Sequence, residues 1–284
     1  MKRAWVLLGL TVVLLAAVTT AGRTWAFPSG GFYTRGGDIF DDWEICRTTA
    51  FDVDGFYQVS GKGFRPAIAF ESLGEQANIA FSLGEQIANQ YPDLIQRAEA
   101  VFSFVRDRVE YSSDVDTFGN EEFAQNADEL AATIVEDGSA EGDCEDVTVL
   151  LAVMYEAAGF RSAIMLLPEH TSVLIYLPGY YQATAFFELG SEPGWVWAEA
   201  TGRNNPLGWA PEQYLDMEIP AYEILAEIPA YEIPAGAVAP LTPSPAPTIA
   251  FAGTGAGAAS PPYLFLIVIG LLFFLALLRR RRRR

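Results

Sequence analysis

The chain has 284 residues and a formal net charge of −18. Eight of its basic residues are Lys2, Arg3 and the run 279–284, so residues 4–278 hold 10 basic and 36 acidic groups, a net charge of −26. A domain this acidic repels nucleic acid and anionic lipid, which excludes nucleic acid as a partner and favours cationic substrates or a salty medium.

Residues 1–26 have a basic start followed by 19 uncharged residues at 4–22. This reads as a secretory signal cleaved after Ala21 or Ala26, or as an N-terminal membrane anchor that is retained. Residues 27–68 read as a strand- and turn-rich extension, as in "FDVDGFYQVSGKGFRP", with no catalytic pattern. The acids of "DVDG" at 52–55 and "DVDTFG" at 114–119 lack the full oxygen set of a calcium loop and read as solvated turns.

Residues 69–218 carry the patterns of a packed domain. Helix is expected in the second half of 69–90. After Pro92, Leu94, Ile95, Ala98, Val101, Phe102 and Val105 recur at helical spacing until "EYSSD" breaks the pattern. A short helix at 127–135 leads into a Gly- and Asp-rich loop that ends at Cys144. From there Val147, Leu150, Leu151, Met154 and Ala158 form one apolar stripe, and Val149 and Val153 make the opposite side apolar too, as in a buried helix. Asp143 or Gly142 is its expected cap and Gly159 its end. Strands are expected at 160–167, 170–177 and 195–201. On them His170, Ser172, Leu174 and Tyr176 share one face, as do Trp195, Trp197, Glu199 and Thr201. Helices first and strands after give an α+β domain.

Composition shifts near residue 219. "EIPAYEI" is doubled, and a Pro/Ala/Gly-rich tract follows, so residues 219–262 read as an extracellular stalk. Residues 263–278, "YLFLIVIGLLFFLALL", are uncharged and span about 24 Å as a helix. That is short of a bilayer core, but the arginines of 279–284 can snorkel and mark the cytoplasmic side. The expected location is the cell membrane, with one C-terminal transmembrane helix and the domain outside.

Cys144 sits where a helix begins, and the backbone dipole there favours thiolate. Asp143, Glu145 and Asp146 oppose this by like charge. The chain's one histidine, His170, is a candidate base, and Glu199 a candidate to orient its ring. Either a lone histidine or a lone cysteine is as often structural. Cys46 is the only other cysteine, so outside the cell a Cys46–Cys144 disulfide is the competing reading. Zinc-ligand spacing, a G-x-S-x-G elbow and phosphate-binding glycine loops are all missing from the sequence, and no cofactor is expected.

Over roughly residues 69–215 the chain resembles the transglutaminase-like superfamily, related in architecture to papain-type peptidases. "GDCEDVTVLLAVMYEAAGF" is similar to that family's nucleophile helix, "PEHTSVLIYLP" to its histidine strand, and "WVWAEAT" to the strand of its third member. Glu199 stands where the family usually has Asp. "FSFVRDRVEYS" resembles the helix before the active-site loop. The resemblance implies a papain-like fold in which the nucleophile helix packs on an antiparallel sheet. It implies Cys144 as nucleophile, His170 as general base and acid, and Glu199 as orienting group. The substrate would be a protein or peptide amide, passing through a thioester, and the acidic surface favours basic peptides. Hydrolysis is favoured over cross-linking because calcium-dependent cross-linkers are large and multi-domain. Gln125, on the approaching loop, is a candidate oxyanion donor, with backbone N–H groups at the helix start the better ones. Two non-enzymatic readings stay open, a catalytically inactive surface module binding protein or cell wall, and an assembly factor.

Overall fold

A computed structural model of the chain describes residues 31–60, 63–74 and 78–224, and the backbone of 248–251. The leader, most of the stalk, the apolar run 263–278 and the arginine tail lie outside the described residues. Among the described residues no helix is long and apolar enough to cross a membrane.

The rest of the fold wraps one helix, Cys144–Ala157. Every residue from Glu145 to Tyr155 is buried, as expected of a helix that is apolar on all sides. We label it α6. The helices before it are α1 (Ala67–Glu71), α2 (Ile79–Gln90), α3 (Leu94–Arg108), α4 (Asp114–Thr117) and α5 (Ala127–Asp137). α2, α3 and α5 pack against α6. Gly84 permits the closest approach, since a Cβ there would lie 2.5 Å from the Met154 carbonyl oxygen and 2.6 Å from Ala157 Cβ. α3 begins at Asp93, whose carboxylate accepts the Gln96 N–H at 2.9 Å, so Pro92 lies just outside the first turn. Its Ala98, Val101, Phe102 and Val105 are buried, while Leu94 and Ile95 remain exposed.

Short strands β1 (Tyr33–Arg35), β2 (Asp38–Phe40), β3 (Gln58–Ser60), β4 (Gly63–Arg65), β5 (Val109–Tyr111) and β6 (Ala140–Gly142) pair two by two, and six further strands follow among the described residues: β7 (Ser162–Leu167), β8 (His170–Tyr176), β9 (Phe187–Leu189), β10 (Glu192–Ala198), β11 (Ile219–Ile224) and β12 (Thr248–Phe251). These last six form one curled antiparallel sheet in the order β10-β8-β7-β11-β12-β9, which closes where β9 pairs with β10. Side chains alternate between its faces. Ile164, Val173, Ile175, Val196 and Ala198 join the core around α6. Ala163, Met165, Leu174, Trp195, Trp197 and Ala221 form a second apolar cluster. The architecture is therefore α+β, with a buried helix packed on β7 and β8.

Three boundaries differ from the sequence reading. The strand expected at 195–201 runs Glu192–Ala198, and its ladder with β8 ends at Ala198↔Val173, leaving Glu199 just beyond. The N-terminal extension is no appendage, because Ile45, Phe56, Tyr57, Ala67 and Ile68 belong to the same core as α6. The sheet also continues past residue 218. β11, inside the first "EIPAYEI", pairs with β7 and buries Ile219, Ala221 and Ile224. Its proline and its repeat gave it the composition of a stalk, but four pairs with β7, from Ala221↔Met165 to Ile224↔Ser162, place it in the sheet.

A buried ion cluster ties the extension to the loop before α5. Arg47 is fully buried. Its Nε donates to Asp41 Oδ2 at 2.7 Å, and its Nη1 donates to Glu129 Oε2 at 2.7 Å and to the Ala124 carbonyl at 2.8 Å. Glu129 also closes a capping box with Asn126 at the start of α5. Replacing Arg47 with Ala would leave two carboxylates without their counter-charge. We expect Arg47→Ala to cost about 3–5 kcal/mol of stability, read as a lower urea midpoint. An unchanged midpoint would remove this cluster from the account of the fold.

Candidate active site

The chain reaches Cys144 from a short parallel ladder between Val109–Tyr111 and Ala140–Gly142, strands β5 and β6 of a separate two-stranded sheet. Gly142 turns tightly over Asp146: an added Cβ would lie 2.8 Å from Asp146 Oδ2. Asp143 occupies the cap position of α6 without making the side-chain capping bond. Asp146 does the anchoring. Its Oδ1 accepts the Gln125 backbone N–H at 2.6 Å and its Oδ2 accepts Gln125 Nε2 at 2.7 Å. Gln125 Nε2 also donates to the Glu141 carbonyl at 3.1 Å. Both of its amide hydrogens have protein acceptors, so in this arrangement Gln125 is a clasp rather than a donor to substrate.

The Cys144 thiol is half-buried and donates to Glu145 Oε2 at 3.3 Å. Cys46 and Cys144 are both free thiols, and Cys46 instead approaches the Thr48 hydroxyl at 3.7 Å. Burial first, then the charges of Glu145 and Asp143, push the Cys144 thiol well up, and the Thr171 backbone N–H opposes them. Burial, helped by the neighbouring acids, thus leaves the resting sulfur protonated.

His170 and Glu199 are brought together directly, with Nε2 and Oε2 2.8 Å apart. Glu199 is 3% exposed. Its other oxygen accepts the Thr201 N–H at 3.2 Å and the Thr201 hydroxyl. Burial would raise Glu199, but the bond and charge of His170 and the Thr201 donors outweigh it and hold the carboxyl below its usual range. The strand register explains the meeting. Trp197 lies opposite Leu174, so Glu199 projects from the same edge as His170. The extra methylene of Glu suits a residue one step past the ladder. Trp197 is structural, its indole N–H donating to Ser172 Oγ at 2.8 Å within the second apolar cluster.

The Thr171 backbone N–H, which lowers the pKa of the Cys144 thiol, directly follows His170. The thiol's hydrogen-bond partner is Glu145 and not the imidazole. Tyr57, which the sequence reading passed over, completes the surroundings. It is 3% exposed, and its hydroxyl donates to Thr171 Oγ1 at 3.4 Å. Burial, the largest cause, and the charges of Glu145, Cys144 and Asp146 keep its phenol protonated, against the bond to Thr171. Nothing local in "DGFYQVS" marks it.

The acids around the sulfur share one condition. Burial raises Asp114 to about 6, Asp146 to about 7 and Asp143 to about 8, each with help from neighbouring carboxylates. Asp114, read from sequence as a solvated turn, is buried and accepts the Phe123 N–H at 2.6 Å. Oxygens of Asp114, Asp143 and Asp146 lie within 4.8 Å of one another, close enough to share a cation or protons. Both Asp146 oxygens already accept from Gln125.

Two outcomes follow from this electrostatic setting. A carboxyl raised on folding stabilises the fold at low pH and loses that contribution as pH rises through its folded value. Tm should therefore fall as pH climbs from about 4, where the unfolded carboxyls ionise, to about 8, and Asp143→Asn should flatten that fall in a calorimetric pH series. Glu145→Gln removes the thiol's acceptor and a nearby charge, so the Cys144 pKa should drop. Iodoacetamide should then alkylate Cys144 several-fold faster at pH 8, and an unchanged rate would discard Glu145 as the cause.

Compared with known proteins, the chain matches no family model and no curated protein.

Proposed function

We propose that this chain is a membrane-anchored extracellular cysteine enzyme of transglutaminase-like fold that hydrolyses protein or peptide amides through Cys144, His170 and Glu199. The observation that carries the reading is the grip of buried, ionised Glu199 on His170 at the start of β8. A buried helix with a half-buried thiol at its start, packed on an antiparallel sheet, is the arrangement the family resemblance implies. The apolar run at 263–278 is taken as the anchor and the one at 4–22 as a cleaved leader or a second anchor, which together put the domain outside.

Glu199 accepts only, so it takes the proton on His170 Nε2 and leaves the Nδ1 lone pair as the base. Rotation about the Cys144 Cα–Cβ bond turns the sulfur from Glu145 toward the histidine strand. His170 then removes the thiol proton, the sulfur bonds to the amide carbon, and the C=O electron pair moves onto oxygen. First-turn N–H groups of α6 supply donors to that oxygen. Collapse expels the amine, which takes the proton from His170 and leaves a thioester. Water, deprotonated by His170, attacks the thioester, releases the acid and restores the thiol. Ionised Glu199 stabilises the imidazolium formed in each half.

One observation favours a second reading, a catalytically inactive surface module: the resting thiol bonds Glu145 and its pKa is pushed up. Peptide hydrolysis with trapping of the acyl-enzyme by mass spectrometry separates the two. The enzyme reading expects an adduct on Cys144, its loss in Cys144→Ala, and a fall of about 10²–10⁴-fold in kcat for His170→Ala. Glu199→Gln should lower kcat without unfolding the protein. No adduct and no response to His170→Ala would leave the inactive module.

A further inference from the structure

Gln125 clasps the start of the Cys144 helix and also lines a surface groove of about 430 Å³. The groove's apolar lining includes Phe32, Phe118 and Phe123. Phe123 packs against Phe118 with ring centres 4.5 Å apart and edge-on to Phe32 at 5.7 Å. The α5 side contributes Glu129 and Glu136, seven residues apart and so on one helix face.

The two acids differ in state. Glu129 is occupied by Arg47 and by the Asn126 N–H. Glu136 is exposed and makes no ion pair or side-chain hydrogen bond among the described residues. No lysine or arginine lines the groove. Arg47, 5.5 Å over the Phe32 ring, is offset by Asp41 and Glu129. Aromatic faces beside an uncompensated carboxylate suit a side chain with an apolar stem and a cationic head. The acidic domain as a whole steers such groups toward it.

We infer that this groove binds a lysine or arginine side chain of the peptide substrate, making it a specificity site beside the reacting amide. The inference rests on the enzymatic reading, because Gln125 joins the groove to the Cys144 helix. The stem lies on the phenylalanines and the ammonium or guanidinium meets Glu136.

Binding can be measured apart from turnover. The full chain carrying Cys144→Ala, in detergent, is titrated with two fluorescent peptides identical except for lysine against norleucine. The lysine peptide should bind at least about tenfold tighter, with a preference that shrinks in salt. Glu136→Gln should erase most of that preference, and Glu136→Lys should abolish or reverse it. Glu121→Gln, an exposed acid outside the groove, should leave it intact. Equal binding of the two peptides, or equal losses at Glu121 and Glu136, overturns the groove assignment. The two readings fail separately. Charge-selective binding without turnover by the wild type would sustain the groove and sink the enzyme. Turnover whose KM ignores Glu136→Lys would do the reverse.

Discussion

The fold depends on a helix that has no face to give to water. α6 is buried from Glu145 to Tyr155, so it must be enclosed by helices and by a sheet. That requirement recruits α2, α3 and α5, the sheet face built from Val173 and Ile175, and even the N-terminal extension through Phe56 and Tyr57. The helix start is where the side chain comes partly free, and Cys144 stands there, half-buried. A thiol held by so enclosed an element is positioned by the whole core.

Carboxylates near the site have opposite fates for one physical reason. Glu199 is as buried as its neighbours but receives hydrogen bonds from His170 and from two Thr201 donors, so it stays charged. Asp143, Glu145 and Asp146 crowd together with no arginine or lysine among them, so burial and mutual repulsion raise all three. The result is one charged carboxylate, held on His170, and a separate set of acids next to Cys144 that retain protons. The thiol's bond to Glu145 belongs to the second environment, and catalysis as proposed requires it to cross to the first.

The extension and the loop before α5 support this arrangement from a distance. Arg47 holds Ala124 and Glu129, Ala124 leads to Gln125, and Gln125 holds Asp146. Each link is a hydrogen bond between segments tens of residues apart. The same loop presents Phe123 and Gln125 to the groove, so anchoring of the helix and shaping of the neighbouring surface are one structural event.

Periodicity made much of this legible in advance. The all-round apolar pattern after Cys144 announced a buried helix. Alternation in "HTSVLIY" and "WVWA" announced strands and placed His170 and Glu199 on matching faces, as the 2.8 Å contact reflects. These signals are local, since helices and strands repeat every few residues. The edges were less legible, because β11 became a strand only by finding β7, and its proline and its repeat argued otherwise. Tyr57 could not be read at all, since its partner Thr171 is 114 residues away. The sequence by itself determined the long buried helices and the strands that carry His170 and lead to Glu199, and it offered Cys144, His170 and Glu199 as candidates. Tertiary packing alone decided the proton on Cys144, the buried state of Asp114 and the company of Tyr57, because burial and the charges of sequence-distant groups set each of them.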